Sequence, residues 1–247
     1  RATPTGNVGG RFQNFAVNRS GAANAIATAV ASDNVVRVNG AEYSKSFGAT
    51  TAIVQWGRQT DKTDGSAATV DTVANGTWTS VAAKYVQGPL TLGASFATLN
   101  TETNTIGNAN AQASNKRKLR TYAANYDFGV AKAFFNYTDR TNQAAALDVD
   151  TTKQTTKGYD LGVSVPMGKT TLFAATGNGD LKIKNAAGVD TTNWGVKTRL
   201  LGATYDFSKR TSLNAYYATT KANDELPASI GESNKRTMVG AGLRHQF

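Results

Sequence analysis

Thr77–Asn100 reads TWTSVAAKYVQGPLTLGASFATLN, and its pattern decides the fold. Before Gln87-Gly88-Pro89, residues Thr79, Val81, Ala83 and Tyr85 share one face and Ser80, Ala82 and Lys84 the other. After it, Leu90, Leu92, Ala94 and Phe96 alternate with Thr91, Gly93, Ser95 and Ala97. A period of two belongs to an extended strand, whose successive side chains point to opposite faces. A Gly-Pro connection between two such runs marks a hairpin. The apolar face is built of small to medium side chains with an aromatic near each end. A packed soluble core would want bulkier residues, whereas lipid fills the gaps that Ala and Val leave. The other face carries small and charged residues suited to lining water.

The same unit repeats along the chain. Period-two runs fall at Asn34–Tyr43, Phe47–Arg58, Thr77–Val86, Leu90–Asn100, Arg117–Tyr126 and Val130–Asp139. They continue at Lys157–Val165, Thr171–Leu181, Val196–Asp206, Thr211–Lys221 and Arg236–Phe247, which makes 11 strands of roughly 9–13 residues. Their connections alternate in length. Gln87–Pro89, Asp127–Gly129, Pro166–Lys169 and Phe207–Arg210 are short. Gln59–Gly76, Thr101–Lys116, Arg140–Thr156, Lys182–Gly195 and Ala222–Lys235 are long and polar. Short turns on one rim and long loops on the other are what bacterial outer-membrane barrels show. A soluble β-sandwich has no reason to put every long connection at one end. The expected fold is all-β, a transmembrane antiparallel barrel with no amphipathic helix beyond residue 33.

Composition agrees. The chain of 247 residues has no cysteine and one histidine, which removes disulfide scaffolds, Cys-ligated metals and most His-based catalysis. No stretch approaches the ~20 consecutive apolar residues of a spanning helix. The polar mean hydropathy of −0.38 is compatible with barrel strands, which average a lipid face with a lumen face. The net charge of +10 alone would suit a soluble basic β-domain bound to nucleic acid. The chain opens on Arg1 without a signal-peptide pattern, as a mature secreted chain or a fragment would.

Aromatics gather near strand ends. Tyr126-Asp127-Phe128-Gly129 and Tyr205-Asp206-Phe207-Ser208 repeat one motif at two short turns, and Trp56, Tyr85, Tyr137, Tyr217 and Phe247 lie near other ends. Tyr and Trp favour the membrane interface because the ring is apolar and one edge is polar. The chain closes on Gly242-Leu243-Arg244-His245-Gln246-Phe247, with the terminal aromatic on the face of Leu243, Ala241 and Val239. This ending resembles the "GLRH-x-F" endings of trimeric general, anion-preferring Gram-negative porins of β-proteobacteria. Asp206–Thr211 (DFSKRT) is similar to that family's "LSKRT" turn, and Asp33–Arg37 (DNVVR) to its "NNSVRY" strand. Gly88-Pro89-Leu90 sits where the family has a periplasmic turn. The pieces occur in the family's order across residues ~31–247.

The resemblance implies a sixteen-strand barrel in the bacterial outer membrane. Counted back from Phe247, residues 34–247 become strands 6–16, and residues 1–33 become most of the third extracellular loop, which folds inward and narrows the pore. Eleven strands should not close a bacterial barrel by themselves, because single-chain barrels have even counts and an open edge in lipid leaves backbone groups unsatisfied. Asn34–Tyr43 is therefore expected to have a neighbour outside this sequence. The resemblance further implies passive diffusion of small, preferentially anionic solutes, a homotrimer, contact with outer-membrane lipid and lipopolysaccharide, and insertion by the barrel-assembly machinery. Leu243, His245 and Phe247 carry the terminal-strand signal for that machinery. It implies no cofactor and no nucleic-acid partner.

No catalytic constellation emerges. Lys157 with Asp160 reads as a strand-end charge pair, and Gly177-Asn178-Gly179-Asp180 as a strand bulge, since it lacks the helix and lysine of a phosphate loop. The basic residues are the candidates. By alternation Arg37, Lys84 and Lys132 project into the lumen, and Arg11 and Arg19 lie on the inward loop. A cation in a narrow pore raises the local anion concentration. The plainer reading is that these residues solvate the lumen or bind lipopolysaccharide phosphates at the rim. Arg117, Lys118 and Arg120 suit that rim role, and Arg244 faces inward near the periplasmic mouth. Beside a diffusion pore stand a structural or adhesive barrel, whose long loops bind a partner, and the soluble nucleic-acid-binding domain.

Overall fold

The computed structural model describes residues 39–63, 72–105, 112–146, 149–222 and 235–246. These form 11 strands and, among the described residues, no helix. They are β1 (Asn39–Phe47), β2 (Thr50–Thr63), β3 (Thr72–Gln87), β4 (Leu90–Thr105), β5 (Gln112–Asp127) and β6 (Lys132–Ala146), then β7 (Val149–Met167), β8 (Thr170–Asn185), β9 (Asp190–Asp206), β10 (Thr211–Ala222) and β11 (Lys235–His245). They make one antiparallel sheet in strict sequence order, β1 to β11. Each strand pairs with its chain neighbours, as a meander of hairpins dictates. Among the described residues β1 and β11 are the sheet's two edges and do not pair with each other.

The short turns lie side by side on one rim. Four backbone bonds tie each to the adjoining hairpin: Val86 N to Ala49 O (2.8 Å), Asp127 N to Pro89 O (2.9 Å), Asp206 N to Lys169 O (2.8 Å) and Gln246 N to Arg210 O (2.9 Å). Side chains set the turn shapes. Asp127 Oδ1 accepts from Gly129 N at 2.9 Å, and Ser208 Oγ accepts from Arg210 N and Thr211 N at 3.2 and 3.1 Å. Gly88 has φ +54°, a left-handed conformation that glycine enters without a Cβ penalty.

Four expectations are corrected. The first hairpin turns at Gly48-Ala49, where Gly48 has φ +58°, not within Ser44–Ser46. Ser44, Lys45 and Ser46 instead pair in register with Ile53, Ala52 and Thr51. Strands run from 9 to 19 residues, longer than the 9–13 expected. Much of four of the five long connections is strand: among them β6 reaches Ala146, β7 begins at Val149, β8 reaches Asn185 and β9 begins at Asp190. Threonine-rich ends pair well across strands although their apolar alternation has faded. Gly177–Asp180 is not a bulge. It pairs one-to-one with Lys157–Asp160, because Gly177 leaves room for the Asp160 carboxylate and Gly179 faces Gly158. The register shifts lie elsewhere, at Ala144/Ala145 and Ile183/Lys184.

The two faces of the sheet differ in exposure. Ser80, Ala82, Ser95, Ala97, Leu99, Thr121, Ala123, Asn136, Arg140, Leu200 and Ala218 are buried and share one face. Val81, Leu92, Phe96, Tyr122, Phe135, Leu161, Leu201, Tyr217 and Leu243 share the other and are exposed. With no second layer to cover either face, this asymmetry means the sheet curls so that one face crowds its own side chains. The concave face is the inner wall and the convex face the outer wall. A buried apolar cluster, Leu181, Val196 and Ala222 with Ile183 and Trp194 packed on it, lies on the inner wall far from the short turns.

Candidate functional site: the two walls

The outer wall is graded along the strands. Nearest the short turns stand aromatics: Tyr126 against Phe128 at 4.5 Å between centroids and Tyr205 against Phe207 at 5.0 Å, edge to face. Above them comes an apolar band, with Leu92, Phe96, Leu161, Val163, Leu172, Leu201, Leu213 and Val239 exposed. Tyr122, Tyr137 and Tyr159 follow in one cross-strand row. The charges begin beyond it, among them Lys116, Lys118, Arg120, Lys157, Lys182, Lys197, Lys221 and Lys235. This order, aromatic, apolar, aromatic, charged, is the section of a bilayer. Arg120 and Lys118 thus stand on the outer wall near the far rim, whereas their neighbour Arg117 faces inward.

The inner wall holds Lys84, opposite Thr51 and Gly93. Lys132 also faces inward, at the short-turn rim, where its Nζ lies 2.9 Å from Asp127 Oδ2. That pair cancels much of the field Lys132 would otherwise lend the pore. Arg244 faces inward at the same rim by its register with Ser212. Higher up stand Arg117, opposite Asn142, and Arg140, opposite Thr156. Both arginines lay in readings of rim or loop, although counting alternation through Leu119 and Thr138 puts them on the lumen face. Glu42, Asp160 and Asp206 are among the other inward carboxylates. Lys157 and Asp160 point to opposite walls and form no pair; Lys157 Nζ instead lies 3.8 Å from Asp139 Oδ2.

Aromatics also stand on the inner wall, three of them over glycines. A Cβ added at Gly202 would sit 2.3 Å from the Phe173 ring, one at Gly240 2.4 Å from Tyr216, and one at Gly162 3.1 Å from Phe134. Each ring thus lies against a glycine of the next strand and covers its bare backbone. His245 is exposed beside Leu243 on the outer wall, its Nδ1 2.9 Å from Thr211 Oγ1. Arg11, Arg19, Arg37 and Phe247 lie outside the described residues. Among the described residues no group of His, Cys, Asp or Glu could hold a metal ion. No helix among them is long and apolar enough to cross a membrane, which says nothing against crossing by strands.

The family description "Gram-negative porin" matches residues 2–225. This chain belongs to the Gram-negative porin family. The porin's place is the bacterial outer membrane, its sheet is a section of a barrel wall, and its family is one of channels. Among solved structures it is similar to an anion-selective porin from Comamonas acidovorans, with 24% identity, a TM-score of 0.59, and coverage of 83% of this chain and 58% of that one. It is also similar to a loop-deletion mutant of OmpT, an outer-membrane protein of Vibrio cholerae, with 12% identity, a TM-score of 0.55, and coverage of 83% and 61%. The copper transporter OprC matches with 10% identity and a TM-score of 0.55, over 83% of this chain and 39% of that one. At these identities the likeness is one of fold. The porin spans about three fifths of the length of the first two. No curated protein matches it.

Proposed function

We propose that this porin forms part of a water-filled pore for passive diffusion of small hydrophilic solutes, with a preference for anions, and catalyses no reaction. The carrying observation is the opposition of the two walls. Along each strand the residues facing lipid are apolar, and the residues between them, such as Ser80, Lys84, Ser95, Thr121, Asn136 and Arg140, face the concave side. The anion preference draws support from Lys84, Arg117 and Arg140 on that wall and from the similar porin described as anion-selective. In this reading residues 34–247 are strands 6–16 of a sixteen-strand barrel. Residues 1–33 are its inward third extracellular loop, with Arg11 and Arg19 on the constriction and Arg37 at the start of the wall. The family resemblance also supports a homotrimer, contact with lipopolysaccharide, and recognition of Leu243, His245 and Phe247 by the assembly machinery.

The test is conductance. The full-length porin in a planar bilayer should give discrete steps with a linear current–voltage relation and a conductance proportional to salt concentration. Vesicles carrying it should swell in small sugars and not in large ones. Absence of steps with correctly folded protein, or saturation of flux at low solute concentration, contradicts a passive pore.

A further inference from the structure

Far from the short turns, the inner wall changes character from one strand to the next. On β5 and β6 it carries the cations Arg117 and Arg140. On β8 and β9 it carries Leu181, Ile183, Trp194 and Val196. Two rows join these sides. In one, Arg140 pairs with Thr156, Thr156 with Leu181 and Leu181 with Trp194. In the other, Arg117 pairs with Asn142, Asn142 with Gln154 and Gln154 with Ile183. Directly paired residues share a face, so both rows run along the concave side. One step nearer the short turns Gly158 faces Gly179. Bare backbone there leaves a recess between the cations and the apolar side chains, and a glycine inside a strand often marks a place where a ligand approaches closely. Trp194 and Ile183 are only partly covered and sit on the buried Leu181 and Val196. Apolar surface turned toward a water-filled lumen calls for an occupant.

We propose that this recess is a binding shelf for organic anions that carry a carboxylate on an apolar, ring-sized body. Arg117 and Arg140 stand at the carboxylate end, since a planar guanidinium matches a carboxylate in a bidentate pair. Arg140 is 5% exposed, and a poorly hydrated cation attracts an anion more strongly than one in bulk water. Thr156 and Gln154, between the two ends, offer further donors. Asn142 Oδ1, opposite Arg117, is a buried acceptor with no hydrogen-bond partner among the described residues, and it suits a hydroxyl on the same solute. β6 and β8 are two strand spacings of ~4.8 Å apart, about 10 Å, a gap that the arginine side chain and one ring fill together. The ring then lies over Gly158 and Gly179 with its far edge against Ile183 and Trp194. A small anion reaches the arginines but gains nothing from the apolar end. A neutral ring gains nothing from the cations. Only a solute with both parts uses the whole shelf.

The proposal rests on the concave face being the wall of a pore, and its test separates the two readings. Chloride current through the full-length porin in a planar bilayer is titrated with benzoate, acetate and benzylammonium. Benzoate should block at a concentration at least about tenfold below acetate, because its ring leaves water on the apolar end. Benzylammonium should not block. W194A should bring benzoate close to acetate, and W194F should keep them apart, which separates loss of the ring contact from loss of fold. R117Q should weaken block by both carboxylates, and R117K should weaken it less. I53A, which removes an apolar side chain from the inner wall of β2 opposite Ser44 and Ala82, should leave the ratio of benzoate to acetate as it is. Equal block by benzoate and acetate in the wild type overturns the shelf and leaves the pore standing. So does a ratio that survives W194A, or one that falls as far in I53A. A second readout does not need conduction. Saturation-transfer NMR on the porin in nanodiscs should show the benzoate ring protons in contact with the wild type and far less so with W194A. That contact without any current contradicts the pore and leaves the shelf standing. Its absence in the wild type overturns the shelf, whatever segment or partner covers the recess instead.

Discussion

On the outer wall, cations stand in rows at the rim, as in Lys197, Lys221 and Lys235, whereas on the inner wall Lys84 stands alone between Thr51 and Gly93. Inward charges also come with opposition: Lys132 is tied to Asp127, and Glu42, Asp160 and Asp206 share the wall with Arg117, Arg140 and Arg244. The net charge of +10 is therefore not a measure of the charge a solute meets. What a permeating ion feels is set by which side of the pleat a residue occupies, and a shift of one position moves a charge from pore to membrane.

The largest expected effect breaks the outer wall. Leu201→Lys, in the middle of the apolar band, should destabilise the folded barrel by about 2–4 kcal/mol in lipid. Thr198→Lys, on the inner wall of the same strand opposite Gly177 and Thr220, should cost under ~1 kcal/mol because its ammonium stays in water. Urea unfolding in lipid vesicles reads both, and equal costs would mean the walls have been assigned the wrong way round.

A smaller effect sharpens the comparison within the inner wall. Gly202→Ala puts a methyl group against the Phe173 ring and 2.8 Å from the Ala215 carbonyl oxygen, and should cost about 1–3 kcal/mol. A Cβ at Gly242 meets nothing within 4 Å, so Gly242→Ala should be near neutral. The same unfolding measurement distinguishes them. Smallest of all is Asp139→Asn, which removes two 3.8 Å ion pairs at the half-exposed outer rim and should shift stability by no more than about 1 kcal/mol.

These walls were mostly legible in the sequence. Alternation in Trp78–Tyr85 and Leu90–Ala97 put Val81, Leu92 and Phe96 on one face and Lys84 on the other, and the register keeps them on opposite faces. It failed where apolar contrast fades. Beyond Asp139 the chain is Thr, Asn, Gln and Ala, so the strand carrying Arg140 read as loop. Polar Ser44-Lys45-Ser46 drew the first turn away from Gly48, since a turn glycine and a strand glycine look alike in sequence. The pairing of Lys132 with Asp127 is a cross-strand contact, visible only once the turn at Phe128–Ala131 fixes the register.

The central claim is that an anion preference is set by inner-wall position rather than by total charge. The zero-current potential of the full-length porin under a salt gradient tests it most directly. The wild type should prefer anions, and Lys84→Glu should move the potential toward cation selectivity, more strongly at low salt because screening over ~8–10 Å is then relieved. Lys132→Glu should move it less, since Asp127 already offsets that lysine, and K197Q/K221Q/K235Q should leave it unchanged. A cation-selective wild type, or a potential that follows the outer-wall variant and ignores Lys84→Glu, would contradict the account.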